Sequence, residues 1–185
     1  MPDPAGKYAR FELERRFLVT DLPARITDGP GWRITDRYIR GTHLRLRRME
    51  PFHEAGTIFK LGQKQTVSPS DFVRTTITNI YLSADEYAVL AALDADEIHK
   101  RRYSVAASGC ALSVDTFDGH LSGLVIAEVS FDTDAELVEA VELPAWVGRE
   151  VSDEIRLTGG ALATLTATEA DELVRQLRGS YSNQA

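Results

Sequence analysis

Eight short segments of alternating polar and apolar residues follow one another along this chain, and turn residues separate most of them. Alternation with a period of two is typical of half-buried β-strands. The segments are Tyr8–Val19, Trp32–Arg40, His43–Met49, Thr57–Lys64, Phe72–Leu82, Glu97–Ala106, Ala111–Phe117 and Leu124–Phe131. Their short connections favour antiparallel hairpins. The sequence therefore predicts a mainly β (α+β) fold, a closed eight-stranded antiparallel β-barrel that forms a tunnel, with a few flanking helices.

Three helix starts are predicted where a threonine or serine is followed three positions later by an acidic residue, the pattern of a capping box. The pairs are Ser83 with Glu86, Thr133 with Glu136, and Thr168 with Asp171. The helices that they open are predicted over Tyr87–Leu93, over Leu137–Val141 and through Leu177. The length of 185 residues fits one domain, 1–185, with an ordered core of about 8–178.

The overall charge and the single cysteine exclude several classes of protein. The net charge is −7, which argues against a general DNA-binding protein. Cys110 is the only cysteine, so neither an internal disulfide nor a cysteine zinc cluster is possible, and we expect a small core residue. The sequence shows no secretion signal, and its longest apolar run is too short to cross a membrane. We expect a cytoplasmic monomer or homodimer that binds neither DNA nor membranes.

The strands carry charged residues on one face, and these faces are rich in arginine and lysine although the protein is acidic. If the sheet closes with the charged faces inward, the lumen holds seven basic and four acidic side chains. The basic ones are Arg16, Arg45, Arg47, Lys60, Arg74, Lys100 and Arg102, and the acidic ones are Glu12, Glu14, Asp115 and Glu128. The simpler alternative is that each charged face is exposed to solvent and the apolar faces form the core.

An enclosed lumen with an excess of positive charge predicts an anionic ligand, because buried charges need partners. Arginine and lysine suit phosphate, since a guanidinium binds it through two parallel hydrogen bonds and an ammonium supplies a point charge. The carboxylates would oppose a bare anion, but they can hold a hard divalent cation such as Mg²⁺ that also binds phosphate oxygens. Alternatively, the carboxylates are ion-pair partners of the lumen arginines.

These residues resemble the motifs of the CYTH superfamily, the triphosphate tunnel metalloenzymes. The resemblance begins with Glu12-x-Glu14-x-Arg16, where arginine replaces the usual lysine, and it covers nearly the whole chain in order. It continues through Leu44–Arg47, Lys60, Arg74, Lys100–Tyr103, Val114–Leu124, Glu128–Phe131, Trp146–Val151 and Arg156. Within the superfamily the chain most resembles the small inorganic triphosphatases.

The resemblance implies a tunnel that binds a triphosphate through basic residues and Mg²⁺ or Mn²⁺ through acidic ones. It assigns the metal to Glu12, Glu14, Asp115 and Glu128. It assigns phosphate to Arg45, Arg47, Lys60, Arg74, Lys100 and Arg102. Arg156 either closes the tunnel from the C-terminal segment or is an ordinary surface arginine. Arg16, Glu14 and Lys60 are the predicted catalytic residues, and Arg16 would hold the reacting phosphoryl group or its neighbour.

Several positions depart from the family pattern. Thr76, Thr78 and Ser130 stand where acidic residues are common, and Ile155 and Gly159 stand where similar enzymes often carry Lys and Asn. The favoured interpretation is metal-dependent hydrolysis of a triphosphate, with inorganic tripolyphosphate preferred. One alternative is a binding module for polyphosphate or a nucleotide with weakened or lost catalysis. Another is an adenylate cyclase of the same fold.

Overall fold

A closed barrel of eight antiparallel strands forms the body of the protein, as the alternation predicts. The computed structural model describes residues 8–66, 71–107, 110–134, 136 and 142–179. The strands neighbour one another in the order β1-β5-β4-β3-β2-β6-β7-β8, and β8 closes the barrel by pairing with β1. They are β1 (Arg10–Leu18), β2 (Gly31–Ile39), β3 (Leu44–Pro51), β4 (Ile58–Thr66), β5 (Arg74–Leu82), β6 (Ala95–Ala107), β7 (Cys110–Phe117) and β8 (Val125–Phe131).

Four α-helices accompany the barrel in the described part of the chain. They are α1 (Ala24–Thr27), α2 (Ala84–Leu90), α3 (Gly159–Ala163) and α4 (Ala167–Gly179), with 3-10 turns at Gly119–Leu121 and Ile155–Leu157. The predicted capping box of Ser83 and Glu86 is confirmed at the start of α2. None of these helices is long and apolar enough to span a membrane.

Of the other two helix predictions, one is wrong and one lies outside the described residues. The predicted start of the last helix is wrong, because Thr166, not Thr168, caps α4. The backbone N–H of Thr166 donates to the Glu169 carboxylate at 2.8 Å, and the longer glutamate side chain can reach back to the cap as a capping box requires. The predicted helix over Leu137–Val141 and the side chain of Cys110 lie outside the residues that the structure describes.

The strand register decides which residues face the inside of the barrel, because residues paired across two strands point to the same face. Glu12, which faces the inside of the barrel, pairs with Thr75, and Thr75 pairs with Thr66. The odd-numbered residues of β5 therefore face inward. The predicted inward orientation of Arg74 is therefore wrong, and Thr76 and Thr78, which share its face, also point outward.

Apolar packing covers the barrel on two sides and leaves its middle polar. One cluster closes an end of the barrel, where the inward residues Ile98, Phe117 and Ile126 pack against Leu157 and Leu162 of the C-terminal segment. A second cluster lies on the outer face, where Phe17, Leu112, Val114 and Val129 pack with the partly buried Trp146. Because much of the apolar surface is buried at these two places, the interior wall can carry charged side chains.

Candidate active site

A cavity of about 650 Å³ lies inside the barrel. Its wall includes six basic side chains, Arg16, Arg45, Arg47, Lys64, Lys100 and Arg102, and four acidic ones, Glu12, Glu14, Asp115 and Glu128. Nine of the eleven charged residues predicted to face the lumen are thus on this wall. The wall carries two more positive than negative charges, and Asp36, buried behind Arg47, reduces the excess to one.

Asp36, on the neighbouring strand β2, forms ion pairs with the two arginines of β3. Its carboxylate is fully buried and accepts hydrogen bonds from Nε of Arg47 at 2.5 Å and from Nη2 of Arg47 at 2.6 Å. Nε of Arg45 lies 3.7 Å from the same carboxylate, beyond hydrogen-bond distance. Burial raises the pKa of Asp36, but Arg47 and Arg45 outweigh it and keep the pKa well below its usual range.

A second ion-pair network joins β6, β7 and β8. Asp115 is almost fully buried and accepts from Nζ of Lys100 and from Nε and Nη2 of Arg102, each at 2.6 Å. Nη2 of Arg102 also reaches Glu128 at 2.5 Å. Burial lowers the pKa of Lys100, as do the neighbouring arginines Arg102 and Arg47, although Asp115 acts in the opposite direction. The wall thus holds three cations close together.

Glu12 and Glu14 converge on one ammonium group from β4. Nζ of Lys64 lies 3.0 Å from a carboxylate oxygen of each glutamate. The two glutamates are two residues apart on β1 and therefore share a face of the strand. The carboxylates raise the pKa of Lys64 against the opposing effect of burial. Two carboxylates that share one cation in this way form a site for positive charge.

Arg16 lies on the cavity wall but is held by the C-terminal segment. Its Nη1 donates to the carbonyl of Leu157 at 2.9 Å, and its Nη2 donates to the carbonyl of Ser152 at 2.8 Å. Its backbone N–H also donates to the hydroxyl of Ser152 at 3.0 Å. Arg16 therefore fastens the segment that closes the barrel, and its predicted role toward the reacting phosphoryl group stays a prediction.

Three predicted phosphate-binding residues are not on the cavity wall. Arg74 lies on the outer face, where it pairs with Asp71 at 3.2 Å and Asp134 at 2.6 Å, because β5 turns its even-numbered residues outward. Arg156 is exposed and pairs with Glu154 at 2.6 Å. Lys60 shares the face of Arg47, but it lies above the ring of Tyr81, with its Nζ 5.0 Å from the ring centre.

The sequence prediction missed Lys64 and Asp36. Lys64 lies four residues after Lys60 on the same strand and therefore shares its face, and this signal was sufficient to place it on the inner face. Asp36 belongs to β2, for which no inner face was assigned. Its signal was the two-residue spacing of Ile34, Asp36 and Tyr38, which places all three on one face of the strand.

Gly159, which departs from the family pattern, is explained by Tyr38. A Cβ atom at this position would overlap the hydroxyl oxygen of Tyr38. The tyrosine on β2 therefore takes the space that a side chain at position 159 would need. Burial raises the pKa of Tyr38 to about 12, and Asp36 adds to this effect.

The four carboxylates differ in how well they fit a divalent cation. Both oxygens of Asp115 already accept short hydrogen bonds from Lys100 and Arg102, so Asp115 fits the alternative of an ion-pair partner. Glu12 and Glu14 fit a cation, since both already face one positive charge. In the described part of the chain, no group of three or more His, Cys, Asp or Glu residues could hold a metal ion. Mg²⁺ needs only one or two carboxylates when phosphate and water complete its shell.

Comparison with known proteins gives a consistent result. No protein-family model matches the chain. An inorganic triphosphatase of Nitrosomonas europaea is 29% identical over 162 residues, which cover 82% of this chain and 96% of that protein. The crystal structure of an inorganic triphosphatase aligns with a TM-score of 0.54 and 25% identity over 84% of this chain and 95% of that chain. The crystal structure of a hypothetical protein aligns with a TM-score of 0.55 and 27% identity over 83% and 98% of the two chains. Over most of its length this chain is therefore similar in sequence and in fold to inorganic triphosphatases, as its motifs predict.

Proposed function

We propose that this protein is a hydrolase that cleaves a triphosphate bound in the barrel cavity, with inorganic tripolyphosphate as the preferred substrate. The observation that carries the proposal is the convergence of arginine and lysine side chains from four strands on one enclosed space. Among the described residues, Nε of Arg45 is the one buried side-chain nitrogen or oxygen without a hydrogen-bond partner. This nitrogen lies 3.7 Å from the Asp36 carboxylate and is too buried to reach a ligand in the cavity, so in this proposal Arg45 contacts phosphate through its Nη atoms.

The side chains of the wall have three tasks in this proposal. Arg45 and Arg47 bind phosphate oxygens through planar guanidinium groups, which fix the direction of the phosphate chain. Lys100 and Arg102 stabilise the negative charge that develops on the departing diphosphate as the terminal phosphoryl group is transferred to water. The apolar end formed by Phe117, Leu157 and Leu162 limits the entry of water, which strengthens these electrostatic interactions.

We further propose that Glu12 and Glu14 hold Mg²⁺ or Mn²⁺ when the triphosphate is bound. Such an ion would neutralise phosphate charge and orient a water molecule for attack. The placement of the Lys64 ammonium between the two glutamates supports this assignment, because it marks where positive charge is stabilised. Asp115 and Glu128 then serve the basic network, where they keep Arg102 in place.

The proposal is tested by measuring phosphate release from a panel of substrates. Tripolyphosphate, ATP, thiamine triphosphate and long-chain polyphosphate are each incubated with the protein and Mg²⁺ or Mn²⁺. We expect orthophosphate, with tripolyphosphate cleaved fastest. Binding of tripolyphosphate without phosphate release under any of these conditions would contradict hydrolysis and favour the binding module. A cyclic nucleotide formed from ATP would instead identify a cyclase.

A further inference from the structure

Asp36 is a carboxylate in a place where a phosphate-binding wall should not need one. It is fully buried on β2, and it is not itself on the cavity wall. Nearby negative charge opposes the binding of an anion, and burying a carboxylate is costly unless it is paired and hydrogen-bonded. The hydrogen bonds to Arg47 satisfy this carboxylate. We therefore expect Asp36 to have a role whose benefit for ligand binding exceeds the repulsion between its carboxylate and the ligand.

The geometry of the pair shows what the carboxylate does to Arg47. Asp36 takes Nε and one hydrogen of Nη2, which together form one edge of the guanidinium plane. The guanidinium is planar, so fixing this edge also fixes the direction of the other donors, the two hydrogens of Nη1 and the second hydrogen of Nη2. Arg47 lies on the cavity wall. Its remaining donors are thus held in one orientation before any ligand arrives.

We propose that Asp36 is a positioning residue that orients the Arg47 guanidinium for binding of the phosphate chain. This inference rests on the proposed function, since it assigns Arg47 to the triphosphate. A guanidinium that is oriented in advance loses less conformational freedom when its ligand binds. The benefit comes from orientation, and it opposes the purely electrostatic effect of the Asp36 charge.

Orientation and charge predict opposite results for Asp36→Asn. The substitution keeps the shape of the side chain but removes one negative charge near the ligand. If the charge alone matters, tripolyphosphate should bind more tightly. If Asp36 orients Arg47, binding should weaken by about tenfold or more, the effect of a lost charge-assisted hydrogen bond. Calorimetric titration with tripolyphosphate in the absence of metal measures this change directly.

Two further variants separate orientation from a general structural effect. Asp36→Glu keeps the charge and shifts the carboxylate by one methylene, so orientation predicts weaker binding and charge predicts no change. It also decides the question if Asp36→Asn does not fold. In an Arg47→Gln background, Asp36→Asn should no longer weaken binding, because the group that it orients is gone. Far-UV circular dichroism and melting temperature confirm that each variant is folded.

The outcomes distinguish this inference from the proposed function. If the wild-type protein does not bind tripolyphosphate, the proposed function itself fails. If the wild type binds and folded Asp36→Asn and Asp36→Glu bind as tightly or more tightly, the positioning role of Asp36 is wrong and the proposed function stands. A further loss from Asp36→Asn in the Arg47→Gln background would also overturn it, because Asp36 would then act through some other group.

Discussion

Replacing Arg102 with methionine should abolish tripolyphosphate binding and lower the free energy of unfolding by about 3–5 kcal/mol, the usual cost of leaving a buried charge without its partner. Arg102 bridges Asp115 and Glu128 at 2.5–2.6 Å from a largely buried position. Methionine would leave Asp115 with Lys100 alone and Glu128 without its cation. It would also make the charge of the cavity wall less positive, which weakens the attraction of the anionic ligand.

The neighbouring residue Arg101 provides a matched control on the same strand. It faces the outside, its side chain is 51% exposed, and it pairs loosely with Asp118 at 3.5 Å. Arg101→Met should therefore change stability by no more than about 0.5 kcal/mol and leave tripolyphosphate binding intact. Urea unfolding and calorimetric titration measure both effects. Equal losses from the two substitutions would show that the interior network has no special role.

Replacing Glu14 with glutamine should reduce phosphate release by at least about tenfold, because the proposed cation site loses one of its two carboxylates. Added Mg²⁺ or Mn²⁺ should restore only part of the activity. Tripolyphosphate binding without metal should be unchanged or tighter, since the substitution removes negative charge from the wall. Phosphate release and metal-free calorimetry of the same preparation test both statements. Full activity in Glu14→Gln would remove Glu14 from the cation site.

Lys64 gives the opposite expectation for the same site. Its ammonium lies between Glu12 and Glu14, so it competes with a divalent ion for their oxygens. Lys64→Gln should raise the affinity for Mn²⁺ in the absence of triphosphate, and Glu14→Gln should lower it. Arg10→Gln removes the same charge two residues before Glu12 and should have a much smaller effect. These three affinities, measured by titration with Mn²⁺ alone, test the cation site without reference to turnover.

The sequence was sufficient to predict the barrel because alternation and turn residues report local structure directly. All eight predicted strands occur, with ends that differ by a few residues. Because alternate residues of a strand share a face, the sequence also predicted correctly that Arg45, Arg47, Lys100 and Arg102 lie on the inner face. On β3 the opposite face carries Leu44 and Leu46, so the orientation of its charged face is unambiguous.

The same alternation did not orient β5 correctly, because its two faces are of similar polarity. On β5, Thr76 and Thr78 alternate with Thr75 and Asn79, and only pairing with β1 and β4 shows that the odd-numbered residues face inward. The orientation of Arg74 was therefore mistaken. Ion-pair partners were equally hidden, because Asp36 and Arg47 lie on different strands and become neighbours only when β2 pairs with β3.

The most direct test of the account is the effect of tripolyphosphate on the thermal stability of the metal-free wild-type protein at low salt. A ligand at one hundred times its dissociation constant stabilises the folded state by about 2.7 kcal/mol. For a chain of this length, that energy corresponds to a rise in melting temperature of roughly 5–10 °C. We predict such a rise with tripolyphosphate and its loss in Arg47→Ala. No rise at millimolar tripolyphosphate would contradict the assignment of the barrel cavity to a triphosphate.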